Sequence, residues 1–501
     1  MINSVETTNK ESYRQIFKAS FLFGGVQIFN ILIQIIRSKF IAVLIGPAGM
    51  GIMGLLTSTL GIIGSLTNFG LGTSAVKDIA AAQGSGNTHR IATVSTVLKR
   101  LVWITGSLGT LVAFILSPWL SELTFGNRNY TIAFIWISIT LLFNQLSSGQ
   151  LVILQGLRKL QYLAKANVLG SAIGLIFTLP LYYKWGVDGI VPGIITTALI
   201  SLFLSWHFSR KVGIIQVKVS RIRTVAESKQ MLQMGFMISL SILFSVIASY
   251  IVRIFISRFG GVEQVGLYNA GFAIINSYAG LIFSAMATDY YPRLSAVAHS
   301  NSLSKQTINQ QAEIAILILA PIIIVFLVFV KWVIILLYST KFLPVNEMIY
   351  WAALGMFFKA ASWSVSFTFL AKGTSKLYFW NELITDTYLL ILNIAGYYYL
   401  GLTGLGLSFA ISFLIYSIQV YIICRIKFEF NFDWAFIKIF IFQFGLAICS
   451  FLILKYLIQP YAYLAGIVLV VVSSWYSFKK LDNRLGVKAL LINLKDRFIQ
   501  K

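Results

Sequence analysis

Acidic residues are scarce in this chain: 16 Asp and Glu stand against 40 Lys and Arg in 501 residues, with two cysteines and three histidines. Cys424 falls at a helix end and Cys449 inside an apolar run, so no disulfide framework is expected. His89, His207 and His299 lie in loops or at a helix end, and no cluster has metal-ligand spacing. A phosphate-cradling GxxxxGK[ST] is missing as well. These absences argue against a catalytic constellation, a metal site and a pump with its own nucleotide site. No cofactor is expected.

What is present is apolar: 57% of residues are hydrophobic and 11% charged, with mean hydropathy +0.81. That leaves too little polar surface for a soluble globule of this size, so lipid must solvate much of it. A helix needs about 20 apolar residues to cross a bilayer core of about 30 Å. Fourteen such runs succeed one another, from 17–44 and 48–75 to 434–454 and 461–478. The alternation of a β-barrel strand is missing. The fold class is therefore an all-α polytopic membrane protein.

The charge pattern supports that count. Loops and adjoining helix ends on one side hold 30 of the 40 Lys and Arg, and the other side only Arg128, Lys184, Arg258, Lys341 and Lys455. By the positive-inside rule both termini are cytoplasmic. The net charge of +24 is thus spread over loops rather than gathered on one nucleic-acid-binding face, and no nucleic-acid partner is expected.

The domain plan is a six-helix lobe over 1–208, a basic linker over 209–231, a second six-helix lobe over 232–424, two additional helices over 425–478 and a basic tail over 479–501. The tail carries Leu481, Leu485, Leu491, Leu494 and Phe498 among seven basic residues, a pattern open to an amphipathic helix on the inner leaflet or a frayed end. A faint internal repeat supports two lobes: IIRSKFIAVLIGPAGMGIM (35–53) is similar to IVRIFISRFGGVEQVGLYNAG (251–271), each with an Arg before a glycine-containing outer turn. Lobes that enter the membrane in the same orientation are a transporter plan.

Charges inside spans are expensive and normally face a cavity or a partner. Gln27, Asn30, Gln34 and Arg37 form one stripe on the first helix, with Lys39 just beyond. Ser241, Ser245, Ser249 and Arg253 repeat the pattern on the seventh, and Lys359 sits mid-run in the tenth with Ser362 and Ser366. Asp78, Asp289, Glu382 and Asp386 cluster near cytoplasmic helix ends, which leaves these cations without an obvious partner. Serine stripes are more often packing surfaces, and Arg253, Lys39 and Lys331 could snorkel. A basic cavity between two lobes would suit a phosphate or diphosphate. Asn269, Asn276, Asn68, Asn144 and Gln145 could bond sugar hydroxyls or simply join helices.

Several segments carry a resemblance: IGPAGMGIMGL (45–55), FGLGTSAVKDIA (69–80), LQGLRKLQYLAKANVLGS (154–171), VGLYNAGFAI (265–274) and DYYPRLSAVA (289–298). They resemble bacterial polysaccharide repeat-unit flippases of the multidrug/oligosaccharidyl-lipid/polysaccharide exporter superfamily, in particular O-antigen flippases and the enterobacterial common antigen lipid III flippase. The resemblance covers about residues 10–425. It implies alternating access in a bacterial inner membrane, with undecaprenyl-diphosphate-linked oligosaccharide as substrate and membrane lipid, a polysaccharide polymerase and chain-length machinery as partners. It further implies diphosphate contacts at Arg37 or Lys39 and at Arg253, and countertransport of protons or sodium. Two other readings stay open: a multidrug exporter of the same superfamily, which would want acidic cavity residues, and a membrane polymerase or glycosyltransferase, which would want a sizeable extramembrane loop.

Overall fold

The computed structural model describes residues 2–215, 217–458 and 460–485, with the side chains of 2–31 and of parts of the seventh and eighth spans outside that description. The described residues are nearly all helical, with short breaks between helices. In order come α1 (Ile2–Thr67), α2 (Leu71–Gly84), α3 (Thr88–Ile115), α4 (Ser117–Phe125), α5 (Thr131–Gly156), α6 (Leu160–Trp185), α7 (Ile190–Arg210) and α8 (Arg221–Gly260). There follow α9 (Val262–Ala296), α10 (Asn301–Leu337), α11 (Asn346–Ala371), α12 (Ser375–Phe428), α13 (Trp434–Tyr456) and α14 (Tyr461–Leu485).

Ten segments among the described residues are long and apolar enough to cross a membrane. Three of them, Leu32–Thr67, Leu160–Arg210 and Lys376–Phe428, each join two helical runs, divided at Gly46, at Gly186–Gly189 and at Gly401. These six runs, the other seven segments and α9 correspond to the fourteen apolar runs of the sequence. Large apolar side chains such as Trp103, Ile176 and Leu336 stay exposed along these helices, as lipid-facing residues must be. This is a multi-pass membrane protein.

Glycine sets the points where one span turns into the next. α1 bends at Gly46 (φ 66°, ψ −172°) and α12 at Gly401 (φ 59°, ψ −139°). Gly261, between α8 and α9, takes φ 84° and ψ 170°. This region of backbone space is essentially closed to residues with a Cβ. Gly46 and Gly261 occupy matching places in the internal repeat, and their turns also meet. A Cβ on Gly51 would lie 1.9 Å from the Val262 carbonyl oxygen, and one on Gly266 would lie 1.8 Å from the Pro47 carbonyl oxygen. Gly46, Pro47 and Gly51 thus answer Gly261, Val262 and Gly266 position by position in a reciprocal contact.

The second span is not the single run over 48–75 that the apolar pattern suggests. α1 stops at Thr67, and Phe69 (φ 48°) and Gly70 (φ 60°) break the helix before α2. Asn68 stabilises the break: its Oδ1 accepts from the Gly70 N–H at 2.8 Å and from the Ser239 hydroxyl at 3.4 Å. An Asx turn of this kind competes locally with the helix.

The chain separates into two compact units, Met1–Gly266 with Leu337–Ser339, and Leu267–Leu336 with Thr340–Lys501. In the first, α2, α3, α5 and the start of α8 share a core built on Ile79, Leu98, Val102, Ile153 and Met231. α8 begins at Arg221, capped by the Ser220 hydroxyl, inside the segment read from sequence as a linker. Along its length α8 is tied to this unit: Arg90 of α3 pairs with Glu227, Tyr250 bonds Thr59 and Thr124, and Arg258 donates to the Leu123 carbonyl at the end of α4.

In the second unit α11 packs closely on α12, where a Cβ at Gly355 would lie 2.8 Å from the Ala410 Cα. Tyr290, Val365, Phe369, Val420 and Cys424 form a core there. α13 and α14 are joined by buried Gln443, which donates to Ser477 (2.8 Å) and accepts from Ser473 (2.7 Å). The tail reading falls largely on residues 486–501, outside those described.

Candidate functional site

Inside the first unit lies a polar chamber of about 460 Å³ between α1, α5, α6 and α7. Its polar lining is Gln34 and Arg37 from α1, Asn144, Ser147 and Ser148 from α5, Asn167 and Ser171 from α6, and Thr197, Ser201 and Ser205 from α7. Each helix contributes residues three or four apart, so each turns one polar stripe to the same space. Apolar sequence elsewhere on these helices meets lipid or neighbouring helices. The wall also includes Gly170, and together with Gly174 it allows α6 and α7 to approach: Cβ atoms there would just touch Ser201 and Thr197.

Among the described lining residues Arg37 is the one charged group, and none is acidic. Among the described residues no carboxylate pairs with it. The guanidinium acts electrostatically on the Tyr182 hydroxyl, which is buried and makes no hydrogen bond of good geometry among the described residues. Several of the hydroxyl protons are already committed. Ser147 donates to the Ser201 carbonyl, Thr197 to Gly193 and Ser205 to Leu202, so their oxygens present lone pairs to the chamber. A permanent planar cation ringed by amides and hydroxyls can bind a phosphate oxygen and hydrogen-bond a polyol.

The other sequence candidates are distributed. Gln34 joins Arg37, while Asn30 has its side chain outside the described set. Lys39 lies two residues beyond Arg37, about 200° around the helix, and does not line the chamber. Arg253 donates to the Ser249 carbonyl at 3.0 Å and to the Ser249 hydroxyl, one turn earlier on α8. Lys359, in the second unit, holds its ammonium 5.0 Å from the Phe413 ring centroid and 5.7 Å from that of Phe409. Ser362 and Ser366 donate to carbonyls of their own helix. Asn269 and exposed Asn276 lie on one face of α9 in the second unit.

Of the amides proposed for sugar contacts, Asn144 faces the chamber, whereas Gln145 donates to Thr105 on α3 at 3.0 Å and Asn68 holds the break before α2. Asn167, Ser171, Thr197, Ser201 and Ser205 were missed. Their signal was the four-residue spacing of small polar residues on the fifth and sixth spans. Glu382 was set aside as a helix-end acid, yet it lies two turns into α12. There it accepts from the Tyr416 hydroxyl at 2.8 Å and from Asn381 at 3.1 Å.

Comparison with known proteins decides the family. The model for polysaccharide biosynthesis proteins matches residues 16–298, more than half of the chain. The chain belongs to the polysaccharide biosynthesis protein family. Within reach of this family member, the lipid III flippase of Escherichia coli (strain K12) is 20% identical over 379 residues, covering 75% of this chain and 89% of its own. A Shigella flexneri protein named for O-antigen transport is 25% identical over 307 residues, covering 60% of this chain and 71% of its own. Among solved structures, the lipid II flippase MurJ superposes with a TM-score of 0.68 at 12% identity, covering 94% of this chain and 99% of its own. These coverages confirm that the family member shares its helical architecture with MurJ over nearly the full length.

Proposed function

We propose that this chain is a flippase that carries an undecaprenyl-diphosphate-linked oligosaccharide, an O-antigen repeat unit, from the cytoplasmic to the periplasmic leaflet of a bacterial inner membrane by alternating access. The observation that supports this reading is the chamber around Arg37. A cation sits within an apolar helix run with no acid among the described lining residues, and amides and hydroxyls surround it. Arg37 takes the diphosphate charge, Asn144, Asn167 and the serines take sugar hydroxyls, and the apolar tail remains in lipid. Arg253 and Lys359 are the further cations this reading assigns to the headgroup. Relatives named for lipid III flipping and O-antigen transport lend the substrate class. The proposal includes both termini in the cytoplasm, proton or sodium countertransport, association with a polymerase and chain-length machinery, and no chemical change to the substrate.

Arg37→Gln tests it. In a flippase-deficient strain the wild-type chain restores surface polysaccharide, and Arg37→Gln reaches the membrane at the same level without restoring it. Full restoration by Arg37→Gln would refute the assignment. A multidrug exporter of the same fold would want an acidic chamber, and drug susceptibility of a deletion strain separates the two readings.

A further inference from the structure

A second concavity, of about 820 Å³, opens on the outside of the first unit between α3, α5 and α7. It shares no lining residue with the Arg37 chamber. Two cations line it, Lys99 from α3 and Arg210 from the last turn of α7, and no acidic residue does. Among the described residues no carboxylate pairs with either cation. Trp103 stands one turn from Lys99, and Trp206 and Phe203 lie one and two turns before Arg210, so each helix offers an aromatic stretch ending in a cation. The Arg210 guanidinium lies over the Trp206 ring, 4.7 Å from its centroid, which holds the charge against the aromatic face.

The aromatic wall faces outward: Trp103 is 56% exposed, Phe203 60% and Trp206 42%. Tryptophan next to Lys and Arg is the signature of the membrane interface, with the ring at headgroup level and the cation above it. A free phosphate would leave that apolar wall uncovered, whereas a phospholipid meets both halves. We propose that this groove is a binding site for an anionic phospholipid. Its phosphate lies between Lys99 and Arg210, and its first acyl segment lies along Trp103, Phe203 and Trp206. Because lysine and arginine attract anionic headgroups and are indifferent to zwitterionic ones of net zero charge, the groove selects phosphatidylglycerol over phosphatidylcholine.

Native mass spectrometry of the purified full-length protein tests this, with equimolar phosphatidylglycerol and phosphatidylcholine of matched acyl chains. The wild-type protein retains phosphatidylglycerol with a preference on the order of tenfold, from two headgroup-facing cations. Lys99→Gln with Arg210→Gln brings the two lipids to parity. Lys99→Arg with Arg210→Lys keeps the preference, as does Arg37→Gln, which separates this site from the chamber. Parity in the wild-type protein, or an unchanged preference in the double glutamine variant, would overturn the proposal. So would displacement of phosphatidylglycerol by equimolar undecaprenyl phosphate, which would identify a different occupant.

Discussion

Replacing Gly51 with alanine probes the reciprocal contact of the two repeat turns. The new Cβ would lie 1.9 Å from the Val262 carbonyl oxygen, where real contacts essentially never fall below 3.0 Å. The turns must therefore part by at least about 1.1 Å, and because the obstacle is backbone, no side-chain rotation relieves it. Forced overpacking costs about 1–3 kcal/mol. For a unit of this size each kcal/mol lowers the unfolding midpoint by about 2–4 °C. Gly51→Ala should thus unfold roughly 2–12 °C below wild type in detergent, followed by tryptophan fluorescence. Gly266→Ala, facing the Pro47 carbonyl oxygen at 1.8 Å, should behave alike. The double variant should lose less than the sum, since one separation accommodates both methyl groups. Gly61→Ala on the same helix is the control: nothing lies within 4 Å of its Cβ, and alanine there should be neutral or stabilising by up to about 1 kcal/mol. A Gly51→Ala protein that unfolds together with Gly61→Ala and wild type would refute the contact.

Two further outcomes follow from other contacts. Glu227, ahead of the apolar part of α8, receives two hydrogen bonds from Arg90, and these hold its carboxyl below its ordinary value near 4.5. A lowered folded value stabilises fully above pH 4.5 and is lost as pH falls through the folded value. Glu227→Gln should therefore lower stability at neutral pH and flatten the acid limb of a stability profile; an unchanged profile would show that the pair adds nothing. Gln443→Leu, read by thermal unfolding, should destabilise the protein by about 1–3 kcal/mol, because Ser473 and Ser477 lose their buried partner; a wild-type midpoint would contradict this.

Much of the helix plan was legible in the sequence, because a span is announced by its own length of apolar residues. The fourteen apolar runs and the turn glycines at 46 and 261 could be read directly. The break at Asn68–Gly70 could not, since an Asx turn inside an apolar run leaves the hydropathy unchanged. The start of α8 at Arg221 was hidden for the opposite reason: its first turns are too polar to look like a span, although Ser220 caps a helix there.

The sequence by itself determined the solvent, the order of apolar runs and the polar stripes within them, because these depend on composition along one segment at a time. Only the tertiary structure decided which polar side chains share a space. Arg37 lines the chamber and Lys39 does not, and Asn144 faces it while Gln145 bonds α3. Neighbours in sequence part by about 100° around a helix, and the face that meets the chamber is chosen by how four helices pack, which no single helix encodes.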